Sequence, residues 1–224
     1  MRTITALFVG LGSIGTRHLK NLTNLCADRG WTLQADALRS DLSRPLRDGV
    51  AALLHAQYTD LADAPAHYDM VFITNPTSLH AEALTRVRGR GGALFIEKPI
   101  FSAEQTGLSL ANYLPTGQKA YVAAPMRWCG VMLALKDRLP GLHPYCARVI
   151  CSSYLPDWRP GVDYRTVYSA HKAMGGGVTI DLIHEWDYLV ELFGVAGLFG
   201  LFDRLFGLFL RLPGGGGLIL GVIE

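Results

Sequence analysis

"ITALFVGLGSIG", Ile4 to Gly15, runs a short apolar stretch into three glycines spaced G-x-G-x-x-G. Residues Ile4–Val9 are rich in strand formers, and "TRHLKNLTNLCADRG" after them places apolar residues at helical spacing and stops at Gly30. The segment therefore reads strand, glycine turn, helix. In that setting Gly10 permits the tight turn, Gly12 lets the backbone approach a pyrophosphate, and Gly15 lets the helix pack on the strand. Ser13 and Ile14 complete the turn, and the free N–H groups of the helix N-terminus face the phosphates. Without those flanks, the same three glycines are only a structural turn.

Working outward, "WTLQADAL" is a second strand, "PLRDGVAALLHA" a helix, "YDMVFITNP" a strand and "TSLHAEALTRVRGRGG" a helix with a glycine stop. "GALFIEKP" is the next strand, "SAEQTGLSLANYL" a helix, "KAYVAAPM" a further strand and "GVMLALKDRL" a helix. Apolar strands alternating with amphipathic helices predict an α/β fold, a doubly wound parallel sheet with helices on both faces. From "YCARVICSSYL" the pattern changes to one long strand, a polar aromatic loop and a last helix. A dinucleotide-binding domain over 1–125 and a smaller α+β domain over 126–224 follow from that change.

Half of the 224 residues are hydrophobic and 18% are charged, which excludes a disordered chain. The formal net charge of +2 comes from scattered Lys and Arg and excludes the basic stripe that nucleic acid requires. Cys26, Cys129, Cys146 and Cys151 form no CxxC pair and have no histidine at zinc-finger spacing, so no metal is expected. They read as buried and reduced, hence a cytoplasmic protein. Arg2 ahead of an apolar run has the look of a signal peptide, but Gly10 and Gly12 break the run early.

The end of the second strand sets the cofactor, because a carboxylate there holds a ribose 2′-hydroxyl and an arginine suits a 2′-phosphate. If Asp36 closes the strand the cofactor is NAD. If the strand runs through Leu38, Arg39 and Ser40 meet the ribose and NADP fits better. Asp36 inside a buried sheet would need a partner, and the balance leans to Arg39, Ser40 and NADP.

Two further motifs carry chemistry. "FIEKPI" puts Lys98 at the carboxyl edge of the sheet, where ligands bind in such folds and an ammonium can donate to a substrate oxygen. "GGGVTIDLIHEWDYLVELFG", Gly175 to Gly194, sets Asp181, His184 and Asp187 three apart among apolar neighbours. On one helix they share a face, where an imidazole and a carboxylate act either as a functional pair or as a satisfied core pair. Between these motifs, "LPDWRPGVDYR" offers Trp158 and Tyr164 to a sugar face and Arg159 and Arg165 to an anion, with Arg127 of "PMRW" able to join them. The plain alternative is a surface loop.

"GLGSIGTRH", "ITNPTSLHAEAL", "FIEKPI" and "GGGVTIDLIHEWDYL", in this order, resemble the Gfo/Idh/MocA oxidoreductases, the family of glucose-fructose oxidoreductase and inositol dehydrogenase. The resemblance implies an NAD- or NADP-dependent dehydrogenase that oxidises or reduces a hydroxyl of a sugar, cyclitol or related small molecule. It carries cofactor contacts to Thr74, Asn75, Pro76, His80 and Glu97. It places Lys98, Asp181 and His184 around the reacting carbon, with His184 or Lys98 taking the proton and Asp181 orienting the substrate. Many members space that aspartate and histidine four apart, whereas here they are three apart, as in a sugar-nucleotide-like branch.

The resemblance ends near Gly194. "GVAGLFGLFDRLFGLFLRLPGGGGLILGVIE" has uncharged runs too short for a membrane span and reads as a truncated or altered remainder of the family's second domain. That leaves a non-catalytic dinucleotide-binding protein as the competing function. It also leads to an expected homo-oligomer or self-association through uncovered apolar surface.

Overall fold

The computed structural model describes residues 1–102, 104–142, 147, 149–172 and 176–194. They form two compact units, Met1–Ala123 together with Leu155–Asp181, and Ala124–Tyr154 together with the chain from Leu182 on. The Phe-rich tail and Cys146 lie outside the described residues.

In the first unit six strands, β1 Thr3–Val9, β2 Thr32–Leu38, β3 Ala56–Tyr58, β4 Tyr68–Ile73, β5 Gly91–Ile96 and β6 Lys119–Val122, form one sheet in the order β3-β2-β1-β4-β5-β6. Every pairing is parallel. Helix α1, Ser13–Asp28, connects β1 to β2, and α2, His80–Arg86, connects β4 to β5. The alternation of side chains along β1 explains why helices cover both faces. Ile4, Ala6 and Phe8 join Leu19, Leu22 and Cys26 of α1, whereas Leu7 and Val9 join Ala83 and Leu84 of α2. Each such leucine or phenylalanine contributes about 1.5–3 kcal/mol by leaving water.

The sheet register lines up an aromatic row. Phe8 pairs with Phe72, Phe72 with Phe95 and Phe95 with Tyr121. The ring centroids are 4.5, 5.2 and 5.2 Å apart, within the range where aromatic pairs add to simple burial. The row lies on the α1 face of the sheet.

Two expected helices do not form among the described residues, and glycines explain both. "PLRDGVAALLHA" yields only a single 3-10 turn at Ala51–Leu53 before β3. Gly49 has φ +74°, a left-handed conformation that ends a helix and leaves too few residues to start another. "SAEQTGLSLANYL" yields one 3-10 turn at Leu110–Asn112, with Gly107 at φ +87° breaking the segment. Of the segment "YCARVICSSYL", expected as a strand, the described residues 147 and 149–154 carry none, and 145, 146 and 148 lie outside the described residues. Cys151, expected to be buried, is exposed, while Cys26 is buried as expected. Among the described residues no helix is long and apolar enough to cross a membrane.

The second unit carries α3, Gly130–Arg138, and helical residues 183–194. Arg127 joins them electrostatically. It donates to Asp187 through Nε at 2.8 Å and Nη2 at 2.5 Å, and to Glu191 through Nη1 at 2.6 Å, while Lys136 of α3 donates to Glu191 at 2.6 Å. The Lys136 hydrogen bond, with Arg127 beside it, holds the Glu191 carboxyl below its usual range.

Two buried polar residues inside the sheet unit find partners. Asp36 is 2% exposed, accepts a hydrogen bond from the Tyr68 hydroxyl at 2.8 Å and faces His55 Nδ1 at 3.0 Å. Burial, then the Asp36 contact, pushes the Tyr68 phenol far above its usual range. His80, 1% exposed, sets its two ring nitrogens 3.0 Å from the carbonyls of Ile100 and Asn75. Burial pulls its pKa below the ordinary value despite those carbonyls.

Removing the Tyr68 hydroxyl takes a donor from a buried carboxylate, so Tyr68→Phe should cost about 1.5–3 kcal/mol in urea unfolding; an unchanged midpoint would show that Asp36 does not need it. For His80, a folded pKa below the unfolded one means that the unfolded chain takes the proton first. Its contribution is complete above the unfolded value of about 6.5 and is lost as the pH falls through the folded value. The melting temperature of the wild type should therefore fall more steeply than that of His80→Gln between about pH 7.5 and pH 5. Parallel slopes would remove His80 from the pH response.

Candidate functional site

At the carboxyl end of β1 the glycine turn is fixed by lack of space. A Cβ on Gly15 would lie 2.5 Å from the Gly10 carbonyl oxygen and 2.8 Å from Thr74 Oγ1, and one on Gly10 would lie 2.8 Å from Asn75 Cα. Thr74 Oγ1 donates to the Gly10 carbonyl at 2.6 Å and holds the turn against the end of β4. Gly12 differs, since a Cβ there would meet nothing within 4 Å.

Gly12 caps α1 with extended backbone, and the Thr16 N–H bonding the Gly12 carbonyl begins the helix ladder. The N–H groups of Ser13, Ile14 and Gly15 thus lack helical partners. The first turn has no acidic residue to compete for an anion. Asn75 Oδ1 is buried without a donor, while its Nδ2 donates to the Leu79 carbonyl at 3.3 Å. Open space at Gly12, unpaired N–H groups and a buried acceptor awaiting a donor all fit a dinucleotide.

Beyond the turn, on the β2 side, a cavity of about 250 Å³ is lined by Gly10, Leu38, Arg39, Ser40, Asn75 and Arg86 among others. β2 ends at Leu38, so Arg39 and Ser40 stand at its carboxyl edge and Asp36 stays in the core. Arg39 donates to Gln57 Oε1 at 2.8 Å and to the Arg44 carbonyl. An adjoining open cavity of about 420 Å³ is lined by Arg39, Arg44 and Arg47, together with Asp48. Arg44, Arg47 and Arg86 escaped the sequence reading because only the folded chain brings the loop after β2 and the end of α2 to Arg39.

On the opposite side, past β5, Glu97 is nearly buried and Lys98 half-buried. Lys98 Nζ donates to the Asp181 backbone carbonyl at 3.0 Å, bringing together two motifs 83 residues apart. The Glu97 carboxylate meets His18 Nε2 at 2.6 Å and accepts from the Lys98 N–H at 3.2 Å. Only the spacing of His18 after Gly15 on the same helix face hinted at this contact.

Other expected site residues sit as follows. Pro76 lines the smaller cavity, and His80 supports Asn75 from behind through the contact already described. The last helix is not continuous: α4, Val178–Asp181, ends at a turn on Leu182, and helix resumes at 183. Asp181 and His184 therefore lie on separate helical pieces rather than on one face of one helix. His184 Nε2 is 3.2 Å from Glu185 Oε1. Trp158, Arg159 and Tyr164 line a shallow apolar hollow with Leu155, Val162 and Val167. Arg165 lies over the Tyr164 ring, 5.0 Å from its centroid, and beside Asp163. An anion at Arg127 would compete with Asp187 and Glu191.

A family model described as an oxidoreductase family with an NAD-binding Rossmann fold, Gfo/Idh/MocA, matches residues 4–121. Among solved structures the chain is similar to the WlbA dehydrogenase of Thermus thermophilus in complex with NAD and UDP-GlcNAcA, at 22% identity over 85% of this chain and 63% of that one, TM-score 0.60. It is similar to the WlbA dehydrogenase of Bordetella pertussis in complex with NADH and UDP-GlcNAcA, at 18% identity over 63% and 42%, TM-score 0.52. The apo form of levoglucosan dehydrogenase matches at 15% identity over 87% and 53%, TM-score 0.63. These likenesses are of fold, and the chain spans between 42% and 63% of the length of those proteins. No curated protein matches it. With the family model covering more than half of the 224 residues, and the glycine turn and strand order in place, the chain belongs to the Gfo/Idh/MocA oxidoreductase family.

Proposed function

We propose that this chain is a dehydrogenase that prefers NADP and acts on a hydroxyl or keto group of a sugar, cyclitol or sugar derivative. The observation that carries the reading is the contact of Lys98 Nζ with the Asp181 carbonyl. A lysine at the carboxyl edge of β5 and the backbone at the aspartate of the glycine-led motif meet although nothing in local folding requires it. The sugar-like substrate is supported by the complexes of the WlbA dehydrogenases with UDP-GlcNAcA.

The dinucleotide supplies the hydride acceptor or donor when bound. The turn residues Gly10, Gly12, Ser13, Ile14 and Gly15 hold its phosphates, and Thr74, Asn75 and Pro76 flank it. Arg39 and Ser40 receive the 2′-phosphate, and the adjoining Arg44 and Arg47 strengthen the local positive field. Lys98 donates a hydrogen bond to the reacting oxygen and lowers the cost of negative charge there. His184 or Lys98 takes the hydroxyl proton, and Asp181 orients the substrate. Trp158, Arg159, Tyr164 and Arg165 contact the remainder of the substrate.

Two measurements test this. Titration should show NADPH binding more tightly than NADH, with Arg39→Asp reversing the order by about tenfold or more, the value of a lost charged hydrogen bond. If NADH binds tighter and the substitution weakens both alike, the 2′-phosphate assignment falls. Against a panel of UDP-hexuronates, free sugars and cyclitols, followed by nicotinamide absorbance, Lys98→Ala and His184→Ala should each lower turnover by about 10²–10⁴-fold with dinucleotide affinity kept. Wild-type protein that binds dinucleotide yet turns over none of the panel would favour a binding protein without catalysis.

A further inference from the structure

We propose that His18 is a positioning residue: through Glu97 it holds the backbone that aims Lys98, so that the helix receiving the dinucleotide phosphates also sets the lysine facing its nicotinamide half. The inference rests on the reading of Lys98 given above. His18 lies one turn past Gly15 on α1, with its side chain 17% exposed. Its imidazole packs edge-on against Phe95, centroids 4.9 Å apart, and tilts over Phe72 at 6.2 Å. The aromatic row therefore fixes the ring before any polar contact is made.

From that place Nε2 donates to Glu97 Oε1 at 2.6 Å, while Glu97 Oε2 accepts the Lys98 N–H at 3.2 Å. The carboxylate is 11% exposed and is gripped at both oxygens. It cannot turn about its last bond without breaking both contacts. The Glu97 N–H is held by the Ile73 carbonyl at 3.0 Å, so β4, α1 and the Lys98 peptide converge on one residue. From there the Lys98 side chain runs to the Asp181 carbonyl.

The sheet geometry says which part of the ligand this serves. In a sheet of this order the dinucleotide straddles the carboxyl ends of the central strands. The cavity with Arg39, Ser40 and Asn75 lies on the β2 side, which suits the adenosine half. The other half then extends over β4 and β5, where Glu97 and Lys98 stand. Loss of the His18 contact should be felt by ligands that carry nicotinamide and not by ligands that stop at the ribose diphosphate.

The test compares NADH with ADP-ribose, and NADPH with 2′-phospho-ADP-ribose, so that it does not depend on which cofactor is preferred. In the wild type the nicotinamide-bearing ligands should bind more tightly than their truncated counterparts. His18→Ala should weaken NAD(P)H about tenfold and leave both truncated ligands within about twofold. His18→Gln, whose amide N–H reaches close to the Nε2 position, should restore most of the loss. Glu97→Gln, nearly isosteric and unable to accept at both oxygens, should reproduce the His18→Ala pattern even if that variant fails to fold. Equal weakening of both ligand classes, no weakening, or a His18→Gln variant that behaves like His18→Ala would overturn the proposal. A wild type that binds ADP-ribose and NADH equally well would instead overturn the placement of Lys98 beside the nicotinamide half.

Discussion

No atom fits between Gly15 and the Gly10 carbonyl, and β1, α1 and the end of β4 meet at that contact. A Cβ at 2.5 Å from a carbonyl oxygen forces backbone to move, so α1 can rest on the end of β1 only through glycine. The Thr74 hydroxyl on the same carbonyl brings the end of β4 to the same point. Three elements are thus pinned within one turn of chain, and the helix N-terminus has no freedom to drift. Gly12, alone of the three, opens onto space. That packing leaves backbone N–H groups without helical partners beside open space, an arrangement that fits a phosphate.

The central strands β1, β2, β4 and β5 were legible in the sequence because they are largely buried, and a run such as "TALFV" has few other ways to be satisfied; the short edge strand β3 was not read. The crossovers were less legible. Val50 to Leu54 has helical composition, yet Gly49 in the left-handed region and the demand of β3 for pairing leave one 3-10 turn. A local pattern lost there to a tertiary constraint that lies outside the segment. Asp36 shows the reverse case. Burial reasoning alone argued that it needed a partner, while Tyr68, 32 residues away, was beyond any local pattern.

The site divides by the same distinction. Residues attached to a strand end, such as Arg39 and Lys98, are fixed by the register of their own strand and were named from it, while Asn75 came from the family resemblance. Contacts made by reaching across the fold were not. His18 and Glu97 are 79 positions apart, and Arg127 meets Asp187 and Glu191 60 and 64 positions on. Asp181 and His184 belong to an intermediate class. Their spacing predicted one helical face, but the turn at Leu182 separates them onto two pieces of helix.

Polar pairs inside this unit call for a reason, since a well-packed apolar pair often matches a buried ion pair in stability. The aromatic row would accept a leucine or phenylalanine at position 18 on packing grounds. A hydrocarbon there would cover Phe95 and Phe72 equally well, yet it would leave one Glu97 oxygen without a donor in a nearly closed place. Direction is what the imidazole adds. Van der Waals contact restrains position loosely, whereas a short hydrogen bond to a carboxylate fixes a bond vector and, through the second oxygen, the next peptide. A lysine with four rotatable bonds loses most of its aim unless the backbone that carries it is held. On the proposed reading, holding that backbone from the helix whose end would face the phosphates would tie the two halves of the ligand site to one rigid element.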